Sequence, residues 1–102
     1  MRTIYVDIDE TICTTPNSRH YSDSEPIMEN IEKINKLYDE GNTIVYWTAR
    51  GSRKQIDWYD LTEKQLLSWG AKFNELRVDK PYYDLFIDDK TLRIEEIWKI
   101  KT

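Results

Sequence analysis

Apolar positions along this chain fall into short blocks with two different periods. The run Thr3 to Val6 (TIYV) is β-branched and aromatic and predicts a buried strand. Thr14 to Glu25 is polar, contains Pro16, Asn17, Ser18 and Ser22, and predicts a loop. Pro26 suits the first turn of a helix, and Ile27, Ile31, Ile34, Leu37 and Tyr38 then recur at spacings of three and four, giving one apolar face. Gly41 fits the left-handed residue that closes such a helix. Thr43 to Trp47 (TIVYW) predicts a second strand, stopped by a turn at Thr48 to Ser52. Arg53 to Asp60 reads equally as a loop or a short helix. Thr62 and Gln65 suggest a capping box, with a helix carrying Leu66, Leu67 and Trp69 and closing at Gly70. Glu75 to Val78 predicts a third strand and Tyr83 to Ile87 a fourth. Thr91 to Ile100 predicts a helix with Leu92, Ile94, Ile97 and Trp98 toward the core.

The resulting order is β-α-β-α-β-β-α. Alternating strands and helices argue for a parallel sheet with helices on both faces, because parallel strands need crossover connections. No repeat or low-complexity tract interrupts the pattern, and 102 residues predict one domain. In such sheets ligands bind beyond the carboxyl ends of the strands. Polar residues stand at each of those ends: Asp7 and Asp9 after the first strand, Thr48 and Arg50 after the second, Lys80 after the third, Asp88 and Asp89 after the fourth. A parallel arrangement would gather them on one edge.

Composition narrows the function classes. A net charge of -4 gives no electrostatic footprint for nucleic acid or an anionic membrane, although Arg50, Arg53 and Lys54 lie close together. No apolar stretch reaches the roughly 18 residues that span a bilayer. The N-terminus enters a strand-like run at once, so no signal peptide is expected. Cys13 is the one cysteine, which excludes an internal disulfide and suits a reducing, cytoplasmic setting. Four Trp and seven Tyr exceed what a core of this size needs and suit a pocket rim or a subunit interface.

The strand-end residues have a coherent chemistry. Converging carboxylates repel unless a cation is present, and hard oxygen ligands suit Mg²⁺. One carboxylate could attack phosphorus, and a second could move the proton of the leaving group. A hydroxyl and a lysine could hold the phosphoryl oxygens. Taken singly, each residue also reads blandly: an acid pair as a turn or helix cap, a lysine before proline as surface. The weight lies in their recurrence at successive strand ends.

These residues resemble the haloacid dehalogenase (HAD) superfamily of Mg²⁺-dependent phosphotransferases. The matching pieces are DIDET (Asp7 to Thr11), WTAR (Trp47 to Arg50), Lys80 in DKP and IDD (Ile87 to Asp89), in the family's order over the whole chain. KPYYDLFIDDK looks similar to small capless members associated with capsule or sugar biosynthesis. The resemblance implies a minimal Rossmann-like, three-layer α/β core. It implies Asp7 as nucleophile and Mg²⁺ ligand, and Asp9 as general acid and base with its carbonyl on the metal. Thr48 and Lys80 would bind the phosphoryl group, Thr11 would support the turn, and Thr11, Ala49 and Arg50 would lie on the substrate side. Asp88 and Asp89 would complete the metal site, one of them directly or through water. An acid at position 9 implies a phosphatase, since ATPases of the family carry Thr there.

Larger members insert a cap domain after the first or third strand, and here Ile12 to Glu25 and Ala71 to Lys80 are too short for one. The open site implies either a large substrate or closure by a second copy in a homo-oligomer. His20, Tyr21, Arg53, Lys54, Trp58 and Tyr59 are candidates for the substrate side, with surface or packing roles as the alternative. The expected substrate is a small phosphorylated metabolite such as a sugar phosphate. Alternatives are a nucleotidase, a phosphatase of polynucleotide ends (disfavoured by the acidic charge), a non-catalytic binding module, and a receiver-like phospho-accepting switch. The last would need an acceptor Asp after its third strand, and Asp57 and Asp60 do not follow a strand-like run.

Overall fold

The run TIYV forms strand β1 (Thr3–Val6) of the computed structural model, which describes residues 1–16, 20–50 and 58–100. It is followed by β2 (Cys13–Thr14), β3 (Glu25–Pro26), α1 (Met28–Asp39), β4 (Thr43–Trp47), α2 (Tyr59–Ser68) and β5 (Glu75–Arg77). Two 3-10 turns cover Tyr21–Asp23 and Ile94–Lys99. The main sheet is parallel with order β1-β4-β5, and Ile4 lies beside Ile44 while Tyr46 lies beside Leu76. The small α/β fold with a parallel sheet therefore agrees with the alternation of strand and helix patterns.

The pleat sends alternate side chains to opposite faces. Val6, Ile44, Tyr46 and Leu76 point to one face, where they meet Ile31, Ile34 and Leu37 of α1 and Leu66 of α2 in a single core. Both helices therefore pack on this one face, and the helices expected on both faces of the sheet are not seen among the described residues; two crossovers that step the same way across a sheet with the usual hand have this outcome. Tyr5, Val45, Trp47 and Arg77 occupy the opposite face. There Tyr5 packs edge-on against Trp47 at 5.4 Å and receives a hydrogen bond from Arg77 Nη1 to its hydroxyl.

Several local expectations need correction. The stretch read as a loop from Thr14 to Glu25 is pinned at its ends, because Cys13 pairs with Pro26 and Thr14 with Glu25 in an antiparallel ladder. Pro26 thus belongs to β3, and α1 starts at Met28, where Ile27 N–H is held by Ile12 O at 2.8 Å in extended geometry. Thr62 is not an N-cap: α2 already begins at Tyr59, and the Thr62 and Gln65 side chains turn inward. Of Arg53 to Asp60, residues 53–57 lie outside the described residues, as do positions 51 and 52 of the expected turn. Leu66 is buried but Leu67 is exposed. In the C-terminal turn Ile94, Ile97 and Ile100 pack on the core, while Leu92 and Trp98 face outward.

The largest departure is Tyr83 to Ile87, which belongs to no strand. Lys80 is fixed beside Thr48 by its N–H to the Thr48 carbonyl at 3.1 Å. Three residues then separate Lys80 from Asp84, and a parallel strand needs a crossover of a dozen or more. Every residue from Pro81 to Arg93 is exposed, forming an arm off the body. Among the described residues no helix is long and apolar enough to cross a membrane.

Gly70 closes α2 at φ +75°, with nothing within 4 Å of where a Cβ would sit. The space is free, so a substitution there is opposed only by backbone conformation. Gly70→Ala is expected to lower stability by about 1 kcal/mol, and Gly70→Asn by less, because Asn tolerates the left-handed region. Urea unfolding of the two variants checks this, and equal losses would contradict it.

Candidate functional site

The carboxyl ends of β1 and β4 bring residues distant in sequence together. Asp7 follows β1 directly, and Lys80 Nζ lies 3.5 Å from its Oδ1. Lys80 is 9% exposed although it is a lysine. Its ammonium sits beside the Trp47 and Tyr83 rings at 5.7 and 5.3 Å, which shield its stem while Asp7 offsets its charge. Thr48 is buried, and its backbone bridges the neighbouring segments: its N–H donates to Arg77 O, its carbonyl accepts from Lys80 N–H. Its hydroxyl accepts the Arg50 N–H at 3.2 Å. Asp7 and Lys80 thus meet at the strand ends, with the Thr48 backbone bonded to Lys80 beside them.

Burial raises the pKa of Asp7 above its ordinary 3.8, and the Lys80 charge opposes that rise. Its side chain remains 40% exposed, so a ligand can still approach the carboxylate.

The loop after β1 is tightly wound. Thr11 N–H and Ile12 N–H both donate to Ile8 O, and Thr11 O accepts from Asn30 Nδ2. Thr11 therefore holds the turn through its backbone. Glu10 takes φ +63°, uncommon for a residue with a Cβ, and its carboxylate receives the Thr15 N–H at 2.8 Å. This winding aims Asp9 inward, toward Arg50.

Arg50 is the residue whose placement differs most from a substrate-facing role. Its side chain is fully buried. Nε donates to Asp9 Oδ2 at 3.0 Å and Nη2 to Asp9 Oδ1 at 2.8 Å, a two-pronged ion pair. Nη1 donates to Thr62 Oγ1 at 3.2 Å and Gln65 Oε1 at 2.6 Å. The guanidinium also lies over the Tyr21 ring, 4.6 Å from its centroid. Gln65 continues the network by donating from Nε2 to Tyr21 O. Sequence reasoning missed Thr62 and Gln65 as partners of Arg50. Their signal was present: two polar residues on the helix face that also carries buried Leu66 need a polar partner inside.

Ala49 is half-buried beside this network. Tyr21 packs on Trp58 at 5.2 Å and Tyr59 packs on the core, so these aromatics serve packing rather than an open rim. His20 is exposed in its loop. Arg53 and Lys54 fall outside the described residues. Cys13 is buried against Asp9, and burial followed by the Asp9 charge pushes its thiol up to about 12, which keeps it protonated and unreactive.

Asp88 and Asp89 do not join this cluster. Both are exposed on the arm, and the Asp88 carboxylate accepts the Lys90 N–H at 3.0 Å. Among the described residues no group of three or more acids, histidines or cysteines is close enough to hold a metal ion. The donor set of one copy, Asp7 with an Asp9 carboxylate already engaged by Arg50, does not fit Mg²⁺.

No protein-family model and no curated protein match this chain. Its structure is similar to the crystal structure of a structural-genomics target from Vibrio cholerae, with a TM-score of 0.86 and 26% identity over 99% of this chain and 90% of that one. The likeness extends through nearly the whole chain, so the small α/β architecture is shared by a solved protein.

The burial of Arg50 makes a sharp prediction. Arg50→Met leaves the half-buried Asp9 carboxylate without its partner and should cost about 3 kcal/mol of stability. Arg50→Lys should recover little of that loss, because an ammonium cannot span both Asp9 oxygens, Thr62 and Gln65. Thermal unfolding of the two variants checks both statements; a Lys variant as stable as wild type would refute the two-pronged geometry.

Proposed function

We propose that this chain is a HAD-type phosphatase that hydrolyses a phosphomonoester of a small metabolite, such as a sugar phosphate, through an aspartyl-phosphate on Asp7. One observation carries the reading: a partly open carboxylate at the end of β1 stands 3.5 Å from a nearly buried lysine contributed from beyond β5, next to a buried threonine after β4. A carboxylate, an ammonium and a hydroxyl at adjacent strand ends suit attack on phosphorus with charge stabilisation of the phosphoryl oxygens.

In this reading an Asp7 oxygen forms a bond to phosphorus as the ester P–O bond breaks, and the leaving oxygen takes a proton. Water then cleaves the acyl-phosphate, releasing inorganic phosphate and the Asp7 carboxylate. Lys80 offsets negative charge at Asp7 and on the transferring group. Asp9 is the proton carrier in this reading; both of its oxygens accept from Arg50, so it must release one prong of that pair to take up a proton. Arg50 is a positioning residue that acts through Asp9. The phospho-accepting switch is less well supported: Asp60 lies exposed in the first turn of α2, and Asp57 is outside the described residues.

Turnover of para-nitrophenyl phosphate in Mg²⁺ buffer tests the reading, and repeated turnover excludes the switch. Asp7→Asn should reduce it by at least ~10³-fold. Attack needs ionised Asp7, so kcat/KM should fall as pH drops through a value above 3.8. Lys80→Met removes the charge that opposes the rise, so the acid limb should move to higher pH. Burial disfavours ionised Asp7, so its contribution to stability is greatest below 3.8 and is lost as pH rises through the raised value. Asp7→Asn should therefore be at least as stable as wild type at pH 7, with the advantage closing in acid. Activity that survives Asp7→Asn rules out this nucleophile.

A further inference from the structure

We infer that two copies of this chain exchange their arms, so that residues 83–87 of each copy add a fourth strand beside β1 of the other and deliver Asp88 and Asp89 to the partner's Asp7. The inference rests on the phosphatase reading for its chemistry, but its geometry stands apart from it.

The first observation is an open edge. β1 pairs with β4 and with no other strand among the described residues, and Tyr5 is 49% exposed on it. The second is an unused strand. Leu85 and Ile87 are 76% and 87% exposed, in a segment rich in aromatic and β-branched residues. Large apolar side chains displayed on a thirteen-residue exposed stretch mark an interaction surface rather than a solvated loop.

The two halves match in register. Placing Asp88 level with Asp7 sets Ile87 beside Val6, Phe86 beside Tyr5, Leu85 beside Ile4 and Asp84 beside Thr3. Leu85 and Ile87 then join Ile4 and Val6 on the face that holds the core, and Phe86 joins Tyr5 on the opposite face. A one-residue slip would reverse both assignments.

Chain length decides between the chain's own β1 and another copy's. The β1–β4 register sets Val6 beside Tyr46, so Lys80, bonded to Thr48, stands level with Ile8. A strand starting at Asp84 level with Thr3, on the far edge of β1, lies about 14 Å sideways (three strand spacings) and about 16 Å back (five rises) from Lys80, or about 22 Å in all. Four residues extend at most about 14 Å. A cis strand in parallel register is out of reach, and an antiparallel one would carry Asp88 and Asp89 to the wrong end of β1. Reciprocal exchange about a two-fold axis satisfies both edges and both arms. It also resolves the misfit described above: one copy lacks a three-acid cluster because the remaining acids come from its partner.

The test uses two full-length variants, Asp7→Asn and the double variant Asp88→Asn/Asp89→Asn, co-expressed with different tags so that the mixed dimer can be isolated. Each variant alone should be inactive on para-nitrophenyl phosphate. In the mixed dimer one site joins an intact body to an intact arm, so about half of wild-type activity should return. With every site in cis, no activity returns, and that result overturns the inference. A second readout is independent of turnover. Tyr5→Cys/Phe86→Cys should give a covalent dimer on mild oxidation, and neither single variant should. A monomeric wild type by light scattering, or a double variant that fails to cross-link, overturns the exchange. A wild type that is dimeric but inactive, together with a Tyr5→Cys/Phe86→Cys variant that cross-links, refutes the phosphatase reading and leaves the exchange standing.

Discussion

A single buried guanidinium organises the carboxyl edge of this protein. Arg50 grips Asp9 from the loop after β1, Thr62 and Gln65 from α2, and the Tyr21 ring from the segment between β2 and β3. Four segments are thereby joined through one planar cation with its donors largely satisfied. A buried charge of this kind is tolerable only when paired and hydrogen-bonded, so each partner is bound to the geometry of the others. Asp9 is held still as a result, while Asp7, two residues earlier, is left partly open beside Lys80. Two acids separated by one residue are thereby given different surroundings.

The parts of this arrangement that were legible in the sequence are those set by local pattern. β1 and β4 match their β-branched and aromatic runs, and α1 matches its apolar spacing, because each buries a face whose period shows in the residue order. Gly41 and Gly70 close their helices at positive φ as their positions suggested. The meeting of Asp7, Thr48 and Lys80 also followed from a local fact, that parallel strands end on a common edge.

What was not legible depends on long-range partners. Thr62 and Gln65 look like a cap in isolation, and only the depth of Arg50 turns them into its hydrogen-bond acceptors. Cys13 reads as a redox clue, yet it packs beneath Asp9 as a small buried side chain. Residues 83–87 have strand composition, but composition does not record how far the chain must travel to reach a neighbour. Pattern reports what a segment would bury; connectivity decides against which surface.

Exchange of arms between copies would make this protein sensitive to its own abundance. β1 precedes the arm along the chain, so with exchanged arms a single copy would keep an open edge until it met another. At high dilution an assembly of exchanged arms would come apart and its sites would lose their acids, whereas a higher concentration of copies would restore them. The number of copies in a given volume would then act as the effector, with no separate regulatory site in the chain.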